Sequence, residues 1–177
     1  MMRGICLLTL ILLFVYGCDS RRVHIRQILE EFEQAQIAIP DDMTMICDGK
    51  LMPSQIKDSI ASFVVYVSPE ECSDCRIAHL GDYSMFFEWS NRSGSFQTLI
   101  VFSPYPEEID SVLETIIASG FSYPVYLDTN LSFSENSIPY DILTHSFLLN
   151  KSGKPILIGD PTRNDRLLKL YESQLLN

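Results

Sequence analysis

The chain has 177 residues, of which 46% are hydrophobic and 20% charged, and it carries a formal net charge of −10. These proportions are typical of a globular protein rather than an intrinsically disordered one. The acidic balance, with a pI near 4.6, disfavours both nucleic-acid binding and electrostatic adsorption to anionic lipid, because each requires clustered lysine and arginine. We therefore expect no nucleic-acid partner.

The N-terminus has the pattern of an export signal. Arg3 supplies positive charge, and residues 5–16 form an apolar stretch of twelve residues, which is too short to span a bilayer and suits a signal-peptide core. Gly17 and Cys18 follow, an order that resembles a bacterial lipoprotein cleavage box. We predict a signal peptide over residues 1–17 and a lipid on Cys18 that anchors the chain to a membrane of the cell envelope. The alternative is an ordinary signal peptide or a signal anchor, with Cys18 incidental.

Residues 18–47 are predicted to form a tether and an N-terminal extension. Apolar residues recur at helical spacing from Ile25 to Ala35, with glutamates on the other side, which predicts a helix that ends before Pro40. Three weaker elements come next. They are a strand over residues 43–47, a turn at Asp48-Gly49, and a short helix over residues 53–62 with Pro53 in its first turn.

From residue 63 onward, short apolar runs alternate with helical patterns, and the runs suit strands that are buried on both faces. This order predicts an α/β fold in which helices cover both faces of one central mixed sheet. The predicted strands are 63–67, 98–102 and 123–127, the helices are 75–89 and 106–119, and a hairpin of strands 145–149 and 155–158 precedes a last helix over 164–175.

Two cysteines, Cys72 and Cys75, follow the first of these strands after one short loop. Two intervening residues on the first turn of a helix bring two sulfurs close enough to bond, and the free N–H groups of the helix stabilise an exposed thiolate. Glu70, Glu71 and Asp74 surround the pair. Because negative charge opposes thiolate formation, we expect a weakly acidified Cys72 and a reducing cysteine pair.

The C-x-x-C after a strand, together with the run His-Ser-Phe-Leu-Leu-Asn-Lys-Ser-Gly-Lys at 145–154, resembles the thioredoxin-like superfamily. Within it, the chain is similar to redoxin-type bacterial lipoproteins, which are membrane-attached thiol-disulfide oxidoreductases. The resemblance covers residues 48–177 and implies a thioredoxin-like domain over that range, preceded by the helical extension.

The resemblance also implies roles for individual residues. Cys72 would be the attacking thiol and Cys75 the resolving thiol, acting without a cofactor on a protein disulfide or dithiol partner in the envelope. The family has a cis-proline before the first hairpin strand, where this sequence has Thr144. Thr144 and His145 are therefore expected beside the dithiol, in substrate docking or proton transfer.

Other functions stay open at this point. The chain could be a non-catalytic thioredoxin-fold lipoprotein that acts as a binding module with a structural disulfide. A redoxin-type peroxidase usually has threonine three residues before its attacking cysteine, where this chain has Pro69. A zinc site could use Cys72 and Cys75 with His79 and Cys47, but no second paired motif supports it, and we expect no metal. The other interpretations of Cys47 are a buried core residue and a third redox partner.

Overall fold

The centre of the fold is one seven-stranded mixed sheet. The structure is a computed structural model that describes residues 22–133, 138–139 and 145–176. Its strands are β1 (Thr44–Cys47), β2 (Lys50–Pro53), β3 (Ala61–Val67), β4 (Phe96–Phe102), β5 (Val125–Leu127), β6 (Ser146–Leu149) and β7 (Pro155–Ile158). They lie in the order β2-β1-β5-β4-β3-β6-β7.

Strands β3, β4 and β5 run parallel in the middle of the sheet, and two antiparallel hairpins, β1–β2 and β6–β7, flank them. The prediction of three adjacent core strands from the apolar runs is confirmed. In β3, Phe63 and Val65 belong to the core on one face, and Val64 and Tyr66 to the core on the other. This alternation is the period-two pleat of a strand that is buried on both sides.

Helices cover both faces of the sheet, as predicted. Because the crossovers β3–β4 and β4–β5 step in the same direction and such connections are right-handed, their helices lie on the same face. The helices are α1 (residues 22–34), α2 (Ser73–Ile77), α3 (Ser84–Ser93), α4 (Ile109–Ala118) and α5 (Asp165–Leu175). Residues of α2 to α5 pack into one core, whereas α1 and the segment after it pack into the core on the opposite face.

Two predicted features differ in the structure. The predicted helix over 75–89 is divided into α2, a 3-10 turn at Leu80–Tyr83 and α3; the turn contains Gly81, a residue of low helix propensity. The predicted helix over 53–62 is wrong, because β2 ends at Pro53, Ser59 has a positive φ of 66°, and β3 begins at Ala61. Strand β1 lies within the predicted extension over residues 18–47 and pairs with β5 of the sheet. The domain boundary after residue 47 stays a prediction.

Candidate active site

The C-x-x-C motif lies at the carboxyl edge of the parallel strands. In an α/β sheet this edge is where ligands and catalytic groups usually gather, since each strand there passes into a loop and a helix. β3 ends at Val67, and the loop that begins with Ser68 leads into α2. Ser103 directly follows β4, and Asp128 directly follows β5. The Ser103 Oγ donates a hydrogen bond of 3.0 Å to the buried carboxylate of Asp128.

Cys72 and Cys75 form a disulfide, with their Cα atoms 5.3 Å apart. Cys72 is the N-cap residue of α2, and its Sγ accepts a hydrogen bond of 3.3 Å from the Cys75 N–H. Its carbonyl accepts the Arg76 N–H over 3.1 Å. Both cysteines are exposed to solvent. Neither cysteine of the pair is buried.

The carboxylate of Glu71, the residue before Cys72, accepts hydrogen bonds from two groups and faces a third. The Ser68 N–H donates to it over 3.1 Å, His145 Nδ1 lies 2.6 Å away, and Arg76 Nε lies 3.6 Å away. The Glu71 side chain is only 12% exposed. Burial raises the pKa of Glu71, but the His145 and Ser68 hydrogen bonds and the positive charges of His145 and Arg76 outweigh it, so its pKa lies below the ordinary value.

His145 is buried between two oxygen atoms. Its Nδ1 faces Glu71, and its Nε2 lies 3.1 Å from the carbonyl oxygen of Pro139. A carbonyl and an ionised carboxylate both only accept hydrogen bonds, so each ring nitrogen of His145 faces an acceptor. The carbonyl of His145 accepts the Tyr66 N–H over 2.7 Å, which ties the residue to β3. The ion pair with Glu71 was not predicted from the sequence.

The three acidic residues expected around Cys72 have different partners in the structure. Glu71 is paired with Arg76 and His145, and Glu70 accepts a hydrogen bond of 3.2 Å from the Tyr105 hydroxyl. Asp74 lies with Cys72 in a groove of about 280 Å³. Across this groove are two further carboxylates that the sequence did not bring to the site, Glu107 and Glu108. The acids are thus distributed differently from the sequence expectation.

Cys47 lies at the opposite end of the parallel strands from Cys72. The register pairs Thr44 with Leu127, at the carboxyl end of β5, so Cys47 is three residues away from that end. At about 3.3 Å per residue, this places it roughly 10 Å from the edge where Cys72 lies. Its Sγ contacts the Ser122 carbonyl at 3.4 Å. The zinc site and the third redox partner are therefore not assembled.

The described residues, 22–133, 138–139 and 145–176, contain neither a cluster of metal-ligand side chains nor a membrane-spanning helix. Among them, no group of three or more histidine, cysteine, aspartate or glutamate side chains is placed to hold a metal ion. No helix in these ranges has the length and apolar character that crossing a bilayer requires. Thr144 and Cys18, two of the predicted functional residues, lie outside the described residues, and their roles stay predictions.

Comparison with known proteins supports the fold. No protein-family model matches the sequence, and no curated protein is significantly similar to it. Among solved structures, the chain is similar to a putative thiol:disulfide interchange protein DsbE from Chlorobium tepidum. The two share 14% identity with a TM-score of 0.54, over 80% of this chain and 98% of that one.

Two further structures have the same architecture. Enterococcus faecalis AhpC is 15% identical with a TM-score of 0.53, over 80% of this chain and 92% of its own. A thioredoxin-like protein from Bacteroides caccae is 12% identical with a TM-score of 0.51, over 90% of this chain and 55% of its own. Identities this low establish a shared fold only. The chain has a thioredoxin-like fold that carries a disulfide at C-x-x-C spacing.

Proposed function

We propose that this protein is a thiol-disulfide oxidoreductase that uses Cys72 and Cys75 to reduce or exchange disulfides of exported proteins. The observation that carries the proposal is the exposed disulfide itself, at the start of α2 and at the carboxyl edge of the central strands. An exposed disulfide is open to attack by a partner thiolate, whereas a purely structural disulfide is better protected when it is buried.

The proposed reaction moves two electrons in two displacements. The Cys72 thiolate attacks a substrate disulfide, an Sγ–S bond forms, and one substrate sulfur leaves as a thiolate. The Cys75 thiolate then attacks Cys72 Sγ, which forms the intramolecular disulfide and releases the second substrate thiolate. The substrate gains two electrons, its two thiolates take up the two protons that the protein's thiols lost, and an external dithiol later reduces the protein again.

Cys72 is the better candidate for the attacking thiol. Its Sγ already accepts an N–H of α2, and the same hydrogen bond would stabilise a thiolate. It also lines the groove between α2 and α4, where a substrate segment could lie beside it. Cys75 does not line that groove, although it is exposed.

The proposed location rests on the sequence. A signal peptide over residues 1–17 and a lipid on Cys18 would place the domain on an envelope membrane, facing the periplasm or the outside. There, disulfides form and persist in exported proteins. A protein disulfide or dithiol in the same compartment is the proposed partner.

Insulin-disulfide reduction with the purified full chain tests the activity. We expect the wild type to accelerate reduction by dithiothreitol, and Cys72→Ser and Cys75→Ser each to abolish the acceleration. Cys75→Ser should also trap a mixed disulfide through Cys72, whereas Cys72→Ser should trap none. A wild type that gives no acceleration, with a disulfide resistant to dithiothreitol, would instead favour the binding module with a structural disulfide.

A further inference from the structure

The residues on either side of the C-x-x-C motif are joined by charge. Glu71 directly precedes Cys72, Arg76 directly follows Cys75, and Glu71 Oε2 lies 3.6 Å from Arg76 Nε. The other oxygen of the same carboxylate binds His145, whose side chain is only 3% exposed. One carboxylate therefore contacts both the guanidinium of Arg76 and the ring of His145.

A proton-accepting role does not suit Glu71. An efficient general base has a pKa near that of the group it deprotonates. The ordinary pKa of a glutamate is already about four units below that of a thiol, and the contacts of Glu71 lower its pKa further. Its carboxylate is thus a fixed negative charge under the conditions in which a thiol titrates.

The net charge beside Cys72 depends on this carboxylate. The positive charge of Arg76 favours a thiolate at Cys72, and the carboxylate of Glu71 opposes it. The other charged residues that line the groove with Cys72 are acidic and exposed, namely Asp74, Glu107 and Glu108. Exposed charges interact weakly because solvent screens them. Each charge on the less exposed groups at Glu71 and Arg76 therefore affects the Cys72 thiol more than an exposed charge does.

We infer that Glu71 is a positioning residue that controls the reactivity of Cys72, because its carboxylate holds Arg76 and His145 in place and offsets the positive charge of Arg76. The inference rests on the proposed function, since it concerns the thiol that is proposed to attack. It makes a prediction that a purely structural role does not: removing the carboxylate and removing its cationic partner must change thiol reactivity in opposite directions.

The test measures the rate at which iodoacetamide alkylates Cys72 at pH 6 in the full chain carrying Cys75→Ser. Glu71→Gln keeps an oxygen for the Ser68 and His145 contacts but removes the charge, and we expect alkylation about two- to fourfold faster. Arg76→Gln should slow it by a similar factor. The double variant should return close to the parent rate, because both charges of the pair are removed together.

Glu70→Gln is the matched control, because it makes the same charge change one residue away on an exposed side chain. Its effect should be smaller than that of Glu71→Gln. Single variants that both accelerate alkylation, as a loosened loop would, or that leave the rate unchanged, would overturn the inference. Failure of the proposed function is seen separately, because alkylation does not require the chain to turn over insulin.

Discussion

The backbone N–H of Ile37 donates a hydrogen bond of 2.8 Å to the carbonyl of Gly153, which fastens the segment after α1 to the turn between β6 and β7. A second contact, from Gln36 Nε2 to the Ser152 carbonyl at 3.2 Å, strengthens the attachment. Gly153 has a φ of +78°, and a Cβ built on it would lie 2.5 Å from the Ile37 carbonyl oxygen. Glycine is therefore required here for both conformation and space.

We predict that Gly153→Ala lowers the free energy of unfolding by about 2–4 kcal/mol, as the sum of a left-handed backbone penalty and a steric one. Gly94→Ala is the control, because Gly94 has a similar φ of +64° with nothing within 4 Å of a built Cβ. It should lose only about 1–2 kcal/mol. Urea unfolding with an unchanged m-value measures both, and equal losses would mean that the contact with Ile37 contributes nothing.

A second prediction concerns the stability of the fold at low pH. The contacts of Glu71 lower its pKa in the folded protein. A group with a lowered pKa contributes stability that is complete above its unfolded pKa, about 4.3 for glutamate, and that is lost as the pH falls through the folded value. Glu71→Gln should therefore be about 1–2 kcal/mol less stable than the wild type at pH 6. The difference should shrink below about pH 4.

Urea unfolding at pH 6, 5, 4 and 3 would measure this trend. Glu70→Gln provides the comparison, because Glu70 is exposed, and its effect should stay within about 0.5 kcal/mol throughout. A Glu71→Gln difference that stays constant down to pH 3 would show that charge at Glu71 does not support the fold.

The sequence predicts the elements that depend on local apolar patterns, and it does not predict those that depend on contacts between residues far apart in the chain. The buried strands were found because β3 and β4 lie in the centre of the sheet, where both faces require apolar side chains. The sequence pattern predicts neither the break of the long helix near Gly81 nor the loop before β3, for which it predicts a helix. There, a positive φ at Ser59 and pairing of the edge strand decided the conformation, and neither has a local sequence signal.

The candidate site was predictable in its chemistry but not in its electrostatics. Cys72 and Cys75 are recognisable from spacing alone. The pairing of Glu71 with His145 joins residues 74 positions apart, which only the β3–β6 pairing brings together. Opposite charges at Glu71 and Arg76, on either side of the motif, were the one local sign that the acidic residues there are partly neutralised.

The lipid anchor can be tested by substitution at its proposed attachment site. Cys18→Ala should abolish incorporation of labelled fatty acid and release the processed chain from the membrane fraction, because the proposed anchor is attached through that thiol. Cys6→Ala, within the predicted signal peptide, should leave labelling unchanged. A Cys18→Ala chain that remains membrane-bound and unprocessed would instead identify the N-terminus as a signal anchor.

The position of Cys47 makes the last prediction. A disulfide requires Cα atoms within about 7 Å, and Cys47 lies at the edge of the sheet opposite Cys72, with its Sγ against the Ser122 carbonyl. Cys47→Ala should therefore leave insulin reduction within about twofold of the wild type, because the Cys72–Cys75 pair cycles without a third thiol. Mass spectrometry after alkylation under non-reducing conditions should find a single disulfide, Cys72–Cys75, in both proteins. Loss of turnover in Cys47→Ala, or a peptide that links Cys47 to Cys72, would require the two edges of the sheet to approach during the reaction and would contradict the two-cysteine mechanism.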